Sequence, residues 1–385
     1  MQTSHLGKGG IAALLVAHCA GMVDLVALPV WMGALIAHHQ LDPQRAGALV
    51  TLFLAGAVVA SVLCAPRFGR LPARALAAGG FAVSAAAFAL LARTPASAWG
   101  AMAALHALAG VAAGTALSMT HGSLGRGANP HRLFACAGLA LGLFALAFMA
   151  AVPALVAARG APAFFTVLAG VMAVAAAVAL LLFPSAAGGP SAAAMRTPLP
   201  AAVWRGMLGI SAMALVQAMM FSFIERIGMD RGFGQAQVHG VLVAVGLVNL
   251  LPAGLAVLLE KRLPAQAVLL AGPVLQAAIA IAITHSASFG PYAFAVSVCA
   301  FVIIFTHTFV FGLLARLDPS GRAVSATPAM VMTGAALGPV LGGTLVNAWG
   351  YPALGLTAAA AAGLAFVFFL SMHAPVRPQV QEQHP

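Results

Sequence analysis

The chain has 385 residues, of which 62% are hydrophobic and only 6% are charged, and its mean hydropathy is +1.03. A soluble domain carries about a quarter charged residues, so this chain could not cover its own surface in water, and lipid must be the solvent for much of it. Its net charge is +11, but the basic residues stand singly in short loops, without the basic stripe and interleaved aromatic residues of a nucleic-acid-binding surface. We therefore expect a polytopic membrane protein that binds no nucleic acid.

Twelve apolar segments follow one another, separated by short loops. In chain order they are 11–37, 46–65, 74–92, 98–120, 133–157, 164–184, 203–225, 238–258, 266–286, 291–315, 324–348 and 351–373. A helix that crosses the hydrocarbon core needs roughly 20 apolar residues. These segments have about that length, do not alternate with period two, and are rich in Ala and Leu. The sequence thus predicts an all-α integral membrane protein with twelve transmembrane helices, called spans 1 to 12 below.

The segment between spans 6 and 7 has the composition of a linker, since residues 185–202 are rich in Ala, Gly, Pro and Ser and hold a single charge. It would join an N-terminal six-helix bundle at residues 1–184 to a C-terminal six-helix bundle at residues 203–385. The two halves also share short patterns, because Leu-Pro-Ala opens span 3 at Leu71 and opens span 9 at Leu263, 192 residues later. An offset near half of the chain predicts two pseudo-symmetric repeats, an organisation in which transporters place the substrate site between the repeats.

Lysine and arginine are distributed unequally between alternate loops. If the N-terminus is cytoplasmic, thirteen of the 18 basic residues lie in cytoplasmic segments. The five in periplasmic loops are Arg45, Arg93, Arg159, Arg226 and Arg231. This bias follows the positive-inside rule, so we expect a multi-pass protein of the cell inner membrane with both termini in the cytoplasm.

The loop between spans 2 and 3 carries Arg67, Gly69 and Arg70 in the order Arg-x-Gly-Arg. It resembles the end of the Gly-x-x-x-Asp-Arg-x-Gly-Arg motif of the major facilitator superfamily, with Val62 in place of the leading Gly and Pro66 in place of the Asp. In that family the motif latches the cytoplasmic side, so the resemblance implies a gating role for these three residues. The alternative is that the arginines only fix the topology.

Two other segments extend the resemblance over nearly the whole chain. The loop between spans 8 and 9 retains a carboxylate, Glu260, two residues before Arg262, which implies that this loop is the second half of the gate. Span 11 carries Gly338 and Pro339 in a Gly-Pro-x-x-Gly-Gly pattern, similar to one that drug/proton antiporters of this superfamily carry in span 5. The resemblance implies a bacterial transporter of the twelve-helix type; plain helix packing through small residues is the alternative role of this motif.

Asp24 is the residue for which the sequence argues most strongly for chemistry. A carboxylate in the middle of a membrane helix costs roughly 2.5–3.5 kcal/mol on insertion scales, so it is seldom found there without a use. The residues at helical spacing from it are mostly small, which leaves room for water or substrate beside it. We predict that Asp24 binds and releases the coupling proton, with a structural hydrogen bond to a neighbouring helix as the alternative.

In the major facilitator superfamily, spans 1, 4, 7 and 10 line the central cavity, and each of these spans carries a polar residue in its middle third here. The resemblance implies that the proton-coupling and substrate residues are Asp24, His106, Gln217, His307 and Trp31. A structural hydrogen bond within the membrane is the alternative for each histidine. At the outer end of span 7, we interpret Glu225 and Arg226 as a solvated ion pair, and a periplasmic gate that involves Asp230 or Arg231 is the alternative.

The sequence carries no phosphate-binding loop of the Walker type and no cluster of nucleophile, base and orienting group. Adjacent His38 and His39, followed by Asp42, lack the geometry of a metal site. We therefore expect no cofactor, no metal and no enzyme activity.

The function predicted from the sequence is that of a secondary active transporter. It would be a monomer in membrane lipid that moves a small organic molecule by alternating access, coupled to protons, with efflux of a lipophilic or cationic compound favoured. One alternative is a proton symporter for uptake of an organic metabolite. The alternative from another class is a transport-fold sensor or accessory membrane protein.

Overall fold

The computed structural model describes residues 7–127, 130–184, 199–318 and 322–372. Within these ranges the chain is helical apart from its connecting turns, and ten segments are long and apolar enough to cross a membrane. One of the ten, Ala329–Leu370, holds two successive spans separated at Gly350, and the eighth predicted span consists of two shorter helices. All twelve predicted spans therefore correspond to helices.

The first six spans are formed by seven helices. Their bounds are α1 Lys8–Gly21 and α2 Val23–Gly33 (span 1), α3 Pro43–Cys64 (span 2), α4 Ala73–Leu91 (span 3), α5 Trp99–Gly125 (span 4), α6 Pro130–Arg159 (span 5) and α7 Ala161–Leu182 (span 6). A π-helical turn, Ala34–His38, extends span 1, and a 3-10 turn, Ala65–Arg70, follows span 2.

The last six spans are also formed by seven helices. Their bounds are α8 Ala201–Phe221 and α9 Ile224–Asp230 (span 7), α10 Gln235–Val248 and α11 Pro252–Leu259 (span 8), α12 Ala265–His285 (span 9), α13 Phe289–Leu317 (span 10) and α14 Arg322–Leu370 (spans 11 and 12). Spans 1, 7 and 8 are thus interrupted, at Met22, at residues 222–223 and at residues 249–251. An interruption at membrane depth leaves backbone groups outside the helical hydrogen-bond pattern, and these are tolerated only inside the protein.

Equivalent turns and contacts recur in the two halves. Spans 5 and 6 are joined through Gly160, with φ 76°, and spans 11 and 12 through Gly350, with φ 74°, and a proline follows each glycine at the second position. Only glycine adopts such a backbone conformation without strain. The two residues at matching places in the Leu-Pro-Ala repeats also make matching bonds: Arg74 Nε donates to Phe183 O at 2.7 Å, and Gln266 Nε2 donates to Phe369 O at 2.9 Å. In each half, the start of the third span is therefore tied to the end of the sixth span.

The two halves pack tightly along spans 2 and 11. A Cβ placed on Gly47 of span 2 would lie 2.1 Å from the carbonyl oxygen of Pro339 in span 11. A Cβ placed on Gly343 of span 11 would lie 2.1 Å from the carbonyl oxygen of Pro43. Backbone meets backbone at both points, which is the close approach that small residues allow between membrane helices.

A side chain reinforces this contact one turn further along span 2. The Thr51 hydroxyl donates a hydrogen bond to Ala336 O at 2.7 Å and accepts one from the Val340 N–H at 3.2 Å. Both contacts lie toward the end of the bundle where span 1 passes into span 2, at residues 38–43, which we call the loop 1–2 end. The opposite end, with the 3-10 turn of residues 65–70, is called the loop 2–3 end. The two halves are closed against each other at the loop 1–2 end.

Candidate functional site

Asp24 lies at the interruption of span 1. It is the second residue of α2, which starts after Met22 (φ −107°, ψ 13°) ends the helical run of α1. Its side chain is 1% exposed, and neither carboxylate oxygen has a hydrogen-bond partner among the described residues. The first turn of a helix favours negative charge, whereas burial without a partner disfavours it. A carboxyl group held between these opposing effects is suited to taking up and releasing a proton.

The helix that carries Asp24 contacts both halves of the protein. Helix α2 packs against span 5 in its own half and against both helices of span 7 in the other half. One turn before Asp24, a Cβ placed on Gly21 would lie 2.7 Å from Leu117 Cδ1 of span 4. Asp24 is therefore on a span that contacts both halves, although its role as the coupling residue stays a prediction.

Trp31 and His106 are brought together inside the N-terminal half. Their rings stack with centroids 5.6 Å apart at an interplanar angle of 29°, and both side chains are fully buried. Phe53, Phe88 and Phe164 surround Trp31, with ring centroids 5.1 to 5.8 Å away. These two predicted site residues thus form part of an aromatic cluster that connects spans 1, 2, 3, 4 and 6.

Of the polar atoms on these two rings, one has a hydrogen-bond partner and two have none among the described residues. His106 Nδ1 lies 2.7 Å from Met102 O, one turn earlier on its own helix, so the ring donates there as expected for a structural histidine. Within the described part of the chain, His106 Nε2 and Trp31 Nε1 have no hydrogen-bond partner. The hydrogen bond to Met102 O supports the structural role of His106. A coupling or substrate role for His106 Nε2 and Trp31 Nε1 stays a prediction.

Gln217 and His307 lie apart from these residues, in the C-terminal half. Gln217 borders a cavity of about 10 Å³ together with Gln276 and Cys299, and its Nε2 is 3.9 Å from Cys299 Sγ. That volume is about what one water molecule requires. His307 Nδ1 lies 3.1 Å from Ile303 O of its own helix, and its ring is 4.8 Å from the Phe311 ring. In this closed conformation the structure does not bring all five predicted residues into one site.

The predicted gate at loop 2–3 is a short 3-10 turn that includes Gly69. Arg67 NH1 donates to Leu63 O at 2.8 Å, so this arginine caps the end of span 2, and Arg70 is exposed. Phe68 is buried beneath the guanidinium of Arg126, which lies 4.4 Å from its ring centroid. A contact of this kind stabilises by about 0.5–1 kcal/mol at an exposed site.

The predicted gate at loop 8–9 has an ion pair at the corresponding place. Glu260 is offset from Phe68 by 192 residues, and its carboxylate lies 3.7 Å from Arg316 at the end of span 10. Both side chains are exposed, as is Arg262, and an exposed pair at this distance stabilises little. The arginine at the end of span 4 therefore contacts a ring, whereas the arginine at the end of span 10 contacts a carboxylate.

The glycine-rich motif of span 11 is a packing element with two faces. A Cβ on Gly338 would lie 2.6 Å from Met219 N of span 7, and the carbonyl of Pro339 faces Gly47 of span 2. Span 11 thus packs against span 7 of its own half and against span 2 of the other half. Helix packing, the alternative given above, has direct support, and the gating role of Gly338 and Pro339 stays a prediction.

The sequence interpretation of the outer end of span 7 is wrong. Arg226 does not pair with Glu225 but with Asp230, one turn later, at 2.7 Å. Glu225 Oε2 is buried and has no hydrogen-bond partner among the residues that the structure describes. Burial lowers the pKa of Arg231, whose guanidinium donates to the carbonyls at the end of span 9, including Ile283 O at 2.8 Å. Arginine stays protonated all the same, so Arg231 is a helix cap within its own half.

Sequence reasoning also missed a pair of histidines. His18 Nδ1 of span 1 lies 3.1 Å from His121 Nε2 of span 4, so one ring donates to the other inside the N-terminal half. His18 lies in predicted span 1, and His121 directly follows the predicted end of span 4; both spans were expected to line the cavity, which was the available signal. Their pairing could not be inferred, because it depends on how the two helices are rotated against each other.

Comparison with solved structures identifies the fold. No protein-family model matches the chain, and none of the curated proteins matches it. Among solved structures, a bacterial homologue of the human lysosomal transporter Spinster, in an inward-facing and occupied conformation, matches with a TM-score of 0.68 at 13% identity, over 94% of this chain and 96% of that one. A mutant of the nucleoside transporter NupG matches with a TM-score of 0.73 at 13% identity, over 94% of this chain and 100% of that one.

At 13% identity these two structures show the fold alone, and the similarity extends over nearly the full length of this chain and of each of the two transporters. Both similar structures are described as transporters and neither as an enzyme. The predicted fold class, with twelve helices in two pseudo-symmetric bundles of six, is confirmed. The chain is therefore a multi-pass, all-α membrane protein with the fold of major facilitator superfamily transporters.

Proposed function

We propose that this protein is a secondary active transporter that moves a small organic molecule by alternating access and couples this movement to protons. The single observation that carries the proposal is Asp24, a buried carboxyl group without a hydrogen-bond partner in the described residues, at the interruption of a span that contacts both halves. The transporter fold supplies the rest of the argument, since it places a substrate site between two repeats near mid-membrane.

Asp24 has the properties of a switch that a proton controls. An ionised carboxylate buried without a partner is costly, and either protonation or a bound cation removes that cost. When water reaches the interruption in span 1, the first turn of α2 favours the ionised form again. Exposure of Asp24 to one side and then to the other would therefore carry one proton across per cycle.

The positions of the basic residues favour a cationic or neutral substrate over an anion. The structure ties several arginines to helix ends: Arg74 and Arg205 donate to the carbonyls at the ends of spans 6 and 12, and Arg226 pairs with Asp230. An anion bound at mid-depth would lack a permanent cation and would be poorly compensated. A cation and a proton that compete for Asp24 would exchange, which gives proton-driven efflux of a lipophilic cation.

The proposal includes the orientation and the unit of function. The N-terminal bundle of residues 1–184 and the C-terminal bundle of residues 203–385 enclose one site, so a monomer in the cell inner membrane is sufficient. The linker of residues 185–202 and both termini are cytoplasmic, which makes the loop 1–2 end periplasmic. Tight packing at that end then corresponds to a state closed to the outside.

The test is transport by purified protein in liposomes with an imposed pH gradient, over a panel of organic cations, nucleosides and carboxylates. Asp24→Asn should abolish accumulation against the gradient while the protein still folds. Asp42→Asn, at an exposed carboxylate paired with Arg45, should transport like the parent protein. Uphill transport by the Asp24→Asn variant would move coupling elsewhere, with His106 as the next candidate. Gradient-driven uptake of a nucleoside or carboxylate would favour the symporter, and absence of any transport would favour the sensor.

A further inference from the structure

Glu225 occupies a second interruption, in span 7. It is the second residue of α9, just as Asp24 is the second residue of α2, and each follows a break in its span. A Cβ placed on Gly33 of span 1 would lie 3.1 Å from Glu225 Oε2 and 3.4 Å from Oε1. The carboxyl group is therefore inserted directly against the backbone of span 1, at the contact between the two halves near the loop 1–2 end.

The cations near Glu225 are already engaged with other groups. The Arg226 guanidinium donates from Nε to Asp230 Oδ2 at 3.0 Å, and Asp230 also accepts from the Tyr351 hydroxyl at 2.6 Å. The Arg231 guanidinium caps span 9. Among the described residues, Glu225 Oε2 receives no hydrogen bond. An ionised Glu225 would thus receive no hydrogen bond on the side that faces span 1, and the charge of the neighbouring Arg226, which is shared with Asp230, would compensate it only in part.

The helices packed against α9 supply no replacement cation for Glu225 Oε2. These helices are α2, α10, α12 and α13, and Tyr351 of α14 also reaches α9. Their titratable and charged residues are Asp24, His239, His285, Tyr292, Cys299, His307 and Arg316. Tyr292 donates its hydroxyl to Ile224 O, and His285 lies 3.2 Å from Ile281 O of its own helix. Arg316 lies at the opposite end of span 10, beside Glu260.

We infer that Glu225 is a second proton-binding site of this protein, which holds spans 1 and 7 together when it is protonated and releases them when it is ionised. A neutral carboxyl group can stay against Gly33, whereas an ionised one buried there without a partner raises the free energy of the closed contact. Separation of the two spans lets water hydrate the carboxylate. The closed state therefore binds the proton more tightly than the open state, and by linkage the proton favours the closed state.

This inference rests on the two-bundle fold and not on transport, so its failure would leave the proposed role of Asp24 intact. The experiment measures the distance between spin labels at Ala37→Cys and Met229→Cys, two exposed positions at the loop 1–2 ends of spans 1 and 7. The full chain is purified into lipid nanodiscs, with the native cysteines Cys19, Cys64, Cys136 and Cys299 replaced by alanine.

The closed distance should dominate at low pH, and a longer distance should gain population as the pH rises. For one linked proton, the ratio of open to closed molecules rises by up to about tenfold per pH unit. Glu225→Gln mimics the protonated carboxyl group and should stay closed throughout, and so should Glu225→Met, which replaces the group by an apolar side chain of similar length. Asp42→Asn, at an exposed carboxylate of the same end, should respond like the parent protein.

Two results would overturn the inference. The first is a parent protein whose distance distribution does not change with pH. The second is a pH response that persists in Glu225→Gln and in Glu225→Met but is lost in Asp24→Asn, because the closing proton would then reside on Asp24. If only one of the two Glu225 variants folds, that variant alone still decides between these outcomes.

Discussion

Substitution of Gly47 by alanine tests whether the closed state depends on the contact between spans 2 and 11. A Cβ at this position would lie 2.1 Å from Pro339 O and 2.7 Å from its carbonyl carbon. Carbon–oxygen contacts are normally no shorter than about 3.3 Å, so the two backbones must separate by roughly 1 Å. Neither partner atom can rotate away, because both belong to helix backbone.

The expected cost follows from this displacement. Overpacking of a well-packed contact costs about 1–3 kcal/mol, and the hydrogen bonds of Thr51 to span 11 lengthen at the same time. We expect the closed state to lose about 2 kcal/mol relative to the open state, which changes their ratio by roughly 30-fold. The same spin-label pair at the loop 1–2 end should therefore report a longer distance in Gly47→Ala.

The matched control is Gly79→Ala in span 3, where a Cβ would meet no atom within 4 Å. This variant should give the distance distribution of the parent protein and the same thermal unfolding midpoint in nanodiscs. If Gly47→Ala were as closed as Gly79→Ala, the protein would have to close by a contact other than the one between spans 2 and 11. The reasoning from the glycine contact would then be refuted.

Two further predictions concern the same contact and the topology. Thr51→Val keeps the shape of the side chain but removes its hydrogen bonds to Ala336 O and Val340 N. The closed state should lose on the order of 1 kcal/mol, so the spin-label distances should shift in the same direction as in Gly47→Ala but by less. An unchanged distance distribution would show that the two bonds are dispensable. A reporter fused after Pro385, or inserted in residues 185–202, should be active only in its cytoplasmic form, because the positive-inside rule predicts that both places are cytoplasmic. A periplasmic signal at either place would contradict the proposed orientation.

The existence and approximate bounds of all twelve spans could be predicted from the sequence. Lipid offers no partner for backbone N–H and C=O groups, so a continuous apolar segment of sufficient length must form a helix whatever its neighbours are. The end of span 9 at His285, for example, was predicted to within one residue. The repeat was also visible in the sequence, as Leu-Pro-Ala at Leu71 and again at Leu263. The structure agrees with it, because Arg74 and Gln266, which follow these patterns, make equivalent bonds.

The interruptions of spans 1, 7 and 8 were not predicted. Residues 22, 222–223 and 249–251 are no more polar or glycine-rich than many intact helical segments, and hydropathy averaged over a span does not register a single turn of irregular backbone. The pairing at the end of span 7 was misread for a related reason. Arg226 and Glu225 are adjacent in sequence and point in different directions on a helix, whereas Asp230, four residues on, lies on the same face as Arg226.

The sequence by itself thus determined that lipid surrounds much of the chain, that the chain has twelve spans, and that these spans form a repeat, since all three follow from local composition and from spacing along the chain. It also singled out Asp24, because a mid-span carboxylate is costly wherever the helix lies. Only the tertiary structure decided that Trp31 stacks on His106 and that Glu225 lies against Gly33. Such contacts depend on the rotation and depth of one helix relative to another, which are set by packing between residues far apart in the sequence.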